Sequence, residues 1–124
     1  MVRGYSKKGL EKRKQEREGY SEFFERHIQI IKKEKKMCQE CGKRLIGNIS
    51  EVAHCLPKQY FKSIATDDEN VVYLCQEHHN LYDNGSNEKI REMKIFSIIT
   101  EKFNKLQEKI TEKINYKHYE RWGA

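Results

Sequence analysis

Two short motifs of potential metal ligands constrain the fold of this chain more than any other feature. Two residues separate Cys38 from Cys41, the same spacing separates Cys75 from His78, and 33 residues lie between the pairs. Two thiolates at this spacing, followed by glycine, form a knuckle that directs both sulfurs at one metal ion. The second pair completes a tetrahedral Cys3His set, so we predict a structural zinc ion; four unrelated residues are the alternative.

Because the sequence has few apolar residues, we expect the predicted zinc ion to contribute to folding. Hydrophobic residues are 36% of the 124 residues and charged residues 35%, and a domain with so small a core often needs a metal or a partner. Cys55 belongs to neither pair and is interpreted as a small buried hydrophobic residue; alternatively it replaces His78 as the fourth ligand. Without a signal-peptide pattern or an apolar run of about 18 residues, we expect a cytoplasmic protein with no membrane partner.

Composition and periodicity divide the chain into four segments. We predict a basic flexible arm over residues 1–20 and an N-terminal helix over residues 21–37 that begins at Ser21. Residues 38–87 contain every cysteine and the only proline, and form a central module. Residues 88–124 carry an apolar stripe that predicts one long amphipathic helical segment, or two helices with a break. The N-terminal helix, the central module or a second copy of the chain must cover this stripe, so a homodimer through this segment is one expectation.

The net charge of +6 is distributed unevenly. Residues 1–37 carry 12 Lys/Arg and 6 Asp/Glu, residues 38–87 carry 4 and 7, and residues 88–124 carry 9 and 6. An acidic centre between basic arms suits a cation site that also meets a polyanion, so we expect the arms to contact DNA phosphates. Lys-rich helices that only solvate themselves produce the same balance.

The central module has the pattern of two strands followed by a helix. β-branched residues are dense over residues 48–56 and 70–75, which indicates short strands, and the next helix ends at Asn84-Gly85. The predicted fold class is therefore α+β. In that helix His79 points about 100° away from His78, on the same face as Asp83. The His79–Asp83 pair could hold a second divalent ion, although such pairs also occur as plain surface contacts.

The order of the polar residues in this module resembles the HNH nuclease family and its ββα-metal fold, over residues 38 to about 85. The residues that carry the resemblance are His54 followed by x-x-Pro, Asn70, Cys75-x-x-His78, His79 and Asp83. The resemblance implies that His54 is the general base, that Asn70 braces the loop and orients this histidine, and that His79 and Asp83 bind the catalytic ion. One imidazole and one carboxylate favour Mg2+ or Mn2+ over zinc at that second site.

The resemblance implies a metal-dependent DNA endonuclease, of a kind often found in phages or mobile elements. This sequence departs from the family at Ala53, where relatives have an Asp or His ligand directly before the base. Glu51 lies on the same strand face two residues earlier, and we consider it a substitute ligand. His78 also stands where a fourth cysteine is common, but zinc accepts imidazole as well as thiolate.

The absence of a ligand at position 53 motivates an alternative function. It is a non-catalytic zinc-knuckle DNA-binding module with a degenerate site; an RNA-processing or protein-interaction role is a third hypothesis. The remaining histidines, His27 and His118, are assigned to packing or to the surface.

Overall fold

The computed structural model describes the backbone of residues 7–112 and the side chains of residues 17–112. His118 and its aromatic neighbours lie outside the described residues. The helices and strands are α1 (Lys7–Glu34), β1 (Val52–His54), β2 (Val71–Tyr73), α2 (Gln76–Asn84), α3 (Asn87–Glu92) and α4 (Ile95–Leu106). Short 3-10 turns precede both strands and follow α4. The α+β class predicted from the sequence is confirmed.

The two strands form a small antiparallel sheet, and α2 follows directly. Ala53 pairs with Val72 at the centre of the register, and His54 pairs with Val71 at its end. Val52, Ala53 and Val72 are buried in the core, which is why β-branched residues are concentrated here. The result is a ββα-like arrangement in which the end of β1 and one face of α2 border the same cleft.

Helix α1 is longer than the sequence analysis predicted. It begins at Lys7, passes through Gly9, Gly19 and Ser21, and ends at Glu34, so the predicted start at Ser21 is wrong. Each glycine costs about 1 kcal/mol relative to alanine inside a helix. The surrounding Lys, Arg, Glu and Gln residues are good helix formers, and they offset this cost over a long helix.

The second half of α1 packs on the central module through side chains spaced four residues apart. Phe23, His27 and Ile31 are all nearly or completely buried. The His27 ring bridges two elements: Nδ1 lies 2.7 Å from the Tyr73 hydroxyl and Nε2 lies 2.8 Å from the Asp68 carboxylate. His27 therefore joins α1 to β2 and to the turn before it.

In the described part of the C-terminal segment, up to residue 112, helices α3 and α4 are separated by a break at Met93 and Lys94. The buried stripe of α4 consists of Ile95, Ile99, Phe103 and Leu106. These side chains join the same core cluster as α1 and the sheet, so no second chain is required to cover them, and the homodimer stays a prediction. The Glu40 carboxylate accepts hydrogen bonds from the amides of Lys94 and Ile95, both at 2.9 Å, which ties the start of α4 to the cysteine knuckle.

A bilayer crossing needs a long apolar helix, and none of the helices in the described part of the chain meets that requirement.

Candidate metal centre and histidine cleft

The four predicted zinc ligands come together at one point of the molecule. The ligand atoms of Cys38, Cys41, Cys75 and His78 all lie within 4.8 Å of one another. The Sγ atoms of Cys41 and Cys75 are 3.9 Å apart, and His78 Nδ1 is 3.9 Å from Cys38 Sγ and 3.1 Å from Cys75 Sγ. Tetrahedral zinc with Zn–S bonds of about 2.3 Å separates two sulfurs by about 3.8 Å. The cluster therefore has the dimensions to hold a metal ion such as zinc.

The first ligand pair sits on a tight hairpin. The Cys38 amide donates to the Lys43 carbonyl at 2.8 Å, and the Gly42 amide donates to the Cys38 carbonyl at 2.9 Å. Gly42 adopts φ +78°, in the left-handed region that favours glycine. This turn brings the Cys41 amide to 3.5 Å from Cys38 Sγ.

The thiols of the cluster differ in their tendency to ionise. Burial raises the pKa of Cys38, but backbone hydrogen bonds from Cys75, Cys41 and Glu40 outweigh it and lower the pKa to about 7. The pKa of Cys75 is raised by burial and by the neighbouring thiols of Cys38 and Cys41. Three thiolates this close repel one another, and a divalent cation removes that repulsion. The chemistry of the donor set therefore fits a metal.

Cys55 lies outside this cluster. Its side chain is completely buried in the core, and burial raises the pKa of its thiol to about 12. It packs as a small hydrophobic residue, and the fourth position beside the three clustered cysteines is occupied by His78.

A separate cleft of about 650 Å³ brings together three of the other polar residues singled out from the sequence. We call it the histidine cleft. It is lined by His54 from the end of β1, by His79 and Asp83 from α2, and by Phe24 from α1. Asn70 does not line it.

The His54 ring is held on three sides. Its Nε2 lies 2.7 Å from the Ala65 carbonyl oxygen, which can only accept, so Nε2 carries the proton and Nδ1 has the free lone pair. The Phe23 ring stacks on the imidazole at 5.5 Å, and the Phe24 ring meets it edge-on at 5.7 Å. Burial lowers the pKa of His54; the hydrogen bond to the Ala65 carbonyl opposes this in part, and the charges of Lys58 and His79 add to the lowering. The imidazole is therefore neutral at neutral pH.

Asn70 holds the loop that connects the two strands. Its side chain is completely buried; Oδ1 accepts from the Leu56 amide at 2.8 Å, and Nδ2 donates to the carbonyls of Leu56 at 3.1 Å and Ile64 at 3.3 Å. These bonds close the loop on itself and bring Ala65 against His54. Asn70 thus orients the histidine through the loop and not by direct contact.

His79 and Asp83 form a pair on one face of α2. His79 Nδ1 donates to the Ser50 carbonyl at 2.6 Å, and Nε2 lies 3.2 Å from the Asp83 carboxylate. The hydrogen bond to Asp83 is the largest cause of a raised His79 pKa. A metal-ligating histidine commonly donates its other N–H to a carbonyl, and the Ser50 contact has this form. The pair therefore presents one imidazole nitrogen and one carboxylate oxygen close together on α2.

Glu51 is not available as a substitute ligand, which corrects the expectation from the sequence. Its buried carboxylate accepts backbone hydrogen bonds from Ile46 at 3.1 Å, Gly47 at 2.7 Å and Asn48 at 2.8 Å. Ala53 is completely buried in the core, so a side chain added there would not enter the cleft. Glu51 instead stabilises the turn that carries Ser50.

Several groups that shape the site escaped the sequence analysis. The apolar periodicity of α1 marked Phe23 and Phe24 as packing residues, but nothing in it indicated that they pack on His54. Ser50 and Ala65 contribute backbone carbonyls, and every residue has one, so the sequence contains no signal for them.

No protein-family model, curated protein or solved structure matches this chain. The functional assignment therefore depends on the metal centre and on the histidine cleft.

Proposed function

We propose that this protein is a metal-dependent endonuclease that hydrolyses phosphodiester bonds in DNA. The observation that carries the proposal is that a neutral histidine and a histidine–carboxylate pair line one cleft. Phosphodiester hydrolysis needs a base for the attacking water and positive charge near the phosphate. The two parts of the cleft match these two needs, and the resemblance of the same residues to the HNH nuclease family points to the same chemistry.

His54 acts as the general base. Its Nδ1 takes a proton from the water that attacks phosphorus, because Nε2 already donates to the Ala65 carbonyl. That carbonyl stabilises the imidazolium once it forms, and the rings of Phe23 and Phe24 restrict rotation of the imidazole. The lowered pKa of His54 keeps the base unprotonated at neutral pH.

His79 and Asp83 would hold the divalent ion, for which Mg2+ or Mn2+ is favoured by the nitrogen and oxygen donors. Such an ion, when bound, would offset the negative charge on the phosphate and on the leaving oxygen. The Ser50 carbonyl fixes the His79 ring so that Nε2 faces Asp83. Zinc at the four-residue cluster has a different task, which is to join the knuckle to the start of α2 and so keep α2 in position.

DNA is the proposed substrate because positive charge lies in the cleft and along the helix that reaches it. Helix α1 reaches the cleft through Phe24, and residues 7–16 of the same helix include five Lys/Arg and two Glu. Lys58 also lines the cleft. A polyanion that lies along α1 would pass the His54 imidazole, and its phosphates would release counterions on binding.

A non-catalytic DNA-binding module is the second candidate, and one observation favours it. Ala53 is buried and Glu51 is occupied by backbone amides, so neither adds a ligand to the His79–Asp83 pair. An ion held by two protein ligands binds weakly, and a protein that only binds DNA would not need it. This alternative does not explain why a neutral His54 is held in the cleft, since a protein that only binds DNA needs no general base.

Plasmid nicking separates the two candidates. The wild type should nick supercoiled plasmid with Mg2+ or Mn2+ and stop when EDTA is added. His54→Ala should lower the rate by roughly 10²–10⁴-fold and still shift DNA in a gel. Asn80→Ala is the matched control, because Asn80 is exposed on α2 beside His79 and does not line the cleft.

Two results would contradict the proposal. Nicking by His54→Ala at the wild-type rate would remove His54 as the base. DNA binding by the wild type without nicking at any concentration of either metal would favour the binding module.

A further inference from the structure

We call three apolar side chains that line the histidine cleft, those of Phe24, Ile49 and Tyr60, the apolar wall; of these, the proposed hydrolysis uses only Phe24. Ile49 and Tyr60 both line the cleft, and they are 56% and 42% exposed. Among the described residues only two other large hydrophobic side chains are as exposed, Met37 and Ile46, and neither lines the cleft. Phe24 also lines the cleft, and its ring meets the His54 ring in an edge-to-face arrangement. Exposed apolar side chains in a concave site are typical of a ligand-binding surface.

The size of the cleft sets what could occupy it. Its volume of about 650 Å³ is in the range of sites for whole small molecules, about 300–1,000 Å³. A phosphate group needs only the polar end, where His54, His79 and Asp83 lie. The Tyr60 ring and the Ile49 side chain, which also line this volume, suit a flat apolar group.

The flat group must be joined covalently to the phosphate that lies at His54, and a nucleobase in a DNA strand meets this condition. Lys58 also lines the cleft, with Nζ 5.1 Å from the Tyr20 ring centroid, and offers a cation to a neighbouring phosphate. Grooves that bind single-stranded nucleic acid combine such cations with side chains on which bases stack. A base in a regular duplex has both faces covered by its neighbours, so only an unpaired base could reach this wall.

We propose that Phe24, Ile49 and Tyr60 bind an unpaired nucleobase next to the cleaved phosphodiester, so that the preferred substrate is single-stranded or locally unpaired DNA. The inference rests on the proposed function, because it takes the phosphate to lie at His54. The base stacks on the apolar wall, while Lys58 holds an adjacent phosphate.

Binding measured without Mg2+ or Mn2+, on zinc-loaded protein, tests the inference apart from cleavage. A short single-stranded oligothymidylate should bind about tenfold tighter than an abasic chain of the same length, because stacking on each bound base stabilises the complex. Tyr60→Ala and Ile49→Ala should each remove most of this difference, whereas Tyr60→Phe should keep it. Ile46→Ala is the matched control, since Ile46 is the same residue type, exposed and outside the cleft.

Equal affinity for the two oligonucleotides, or equal losses in Ile46→Ala and Ile49→Ala, would overturn the inference, as would tighter binding of a fully paired duplex. Nicking with Mg2+ but without base-dependent binding would leave the proposed function standing and remove the base site. Base-dependent binding without nicking at any metal concentration would keep the base site and remove the nuclease.

Discussion

Replacing Glu51 should destabilise the protein, although the sequence alone suggested an effect on metal binding. The Glu51 carboxylate accepts the amide hydrogens of Ile46, Gly47 and Asn48. It thereby closes the turn that leads into β1 and holds the Ser50 carbonyl against His79. Glu51→Ala leaves these three amides without their acceptor.

The size of the effect follows from the number and exposure of those bonds. A hydrogen bond to a charged group contributes about 1.5–3 kcal/mol. Ile46 and Asn48 are exposed and Gly47 is half-buried, so water can replace part of what is lost, and about 1 kcal/mol for each bond is the appropriate value. The free energy of unfolding should therefore fall by about 3 kcal/mol, which lowers the Tm of a domain this size by roughly 10–20 °C.

Urea and thermal unfolding at a fixed excess of zinc measure this loss, because zinc binding itself contributes to stability. Glu51→Gln should lie between the wild type and Glu51→Ala, since its amide oxygen still accepts. Glu77→Ala, an exposed carboxylate on α2, is the control and should change stability by less than about 0.5 kcal/mol. A similarly small change in Glu51→Ala, together with a raised Mn2+ requirement for nicking, would refute this reasoning and restore Glu51 as a ligand.

Four further predictions concern the metal centre, the base, the core and the arm. Cys38→Ser should lose about one zinc per chain and unfold by circular dichroism, because metal binding and folding are linked; a folded, zinc-free variant would contradict this. Burial lowers the His54 pKa below 6.5, and the neutral ring is the base. The nicking rate at saturating metal should therefore persist as pH falls through 6.5; a nicking rate that is half-maximal at a pH above 6.5 would contradict this. Ala53→Asp buries a carboxylate in the core, so it should lower the Tm and leave the metal concentration needed for nicking unchanged. An unchanged Tm would contradict this. Deleting residues 1–19 should weaken DNA binding and flatten the plot of log K against log salt, and an unchanged slope would show that this segment does not contact DNA.

The sequence by itself determined the features that depend on short-range spacing. Two residues between paired ligands are enough to direct Cys38 and Cys41 at one point, and i, i+4 spacing places His79 and Asp83 on one helical face. The β-branched runs likewise predicted both strands. The start of α1 was missed because glycines at positions 9 and 19 signal interruption, whereas helix propensity and packing over 28 residues outweigh them.

Only the tertiary structure decided which groups share the histidine cleft. The sequence shows that Glu51 has a carboxylate and Ala53 a methyl group, but not what surrounds them. In the fold, the backbone amides of residues 46–48 occupy the Glu51 carboxylate, and the core buries Ala53. Phe23 and Phe24 reach His54 from a helix about 30 residues earlier, and the partners of both cleft histidines include backbone carbonyls. Spacing along the chain predicts which side chains share one face of a helix or strand. The packing of elements distant in sequence sets the environment of each side chain, and this environment decides its pKa and whether it is available for chemistry.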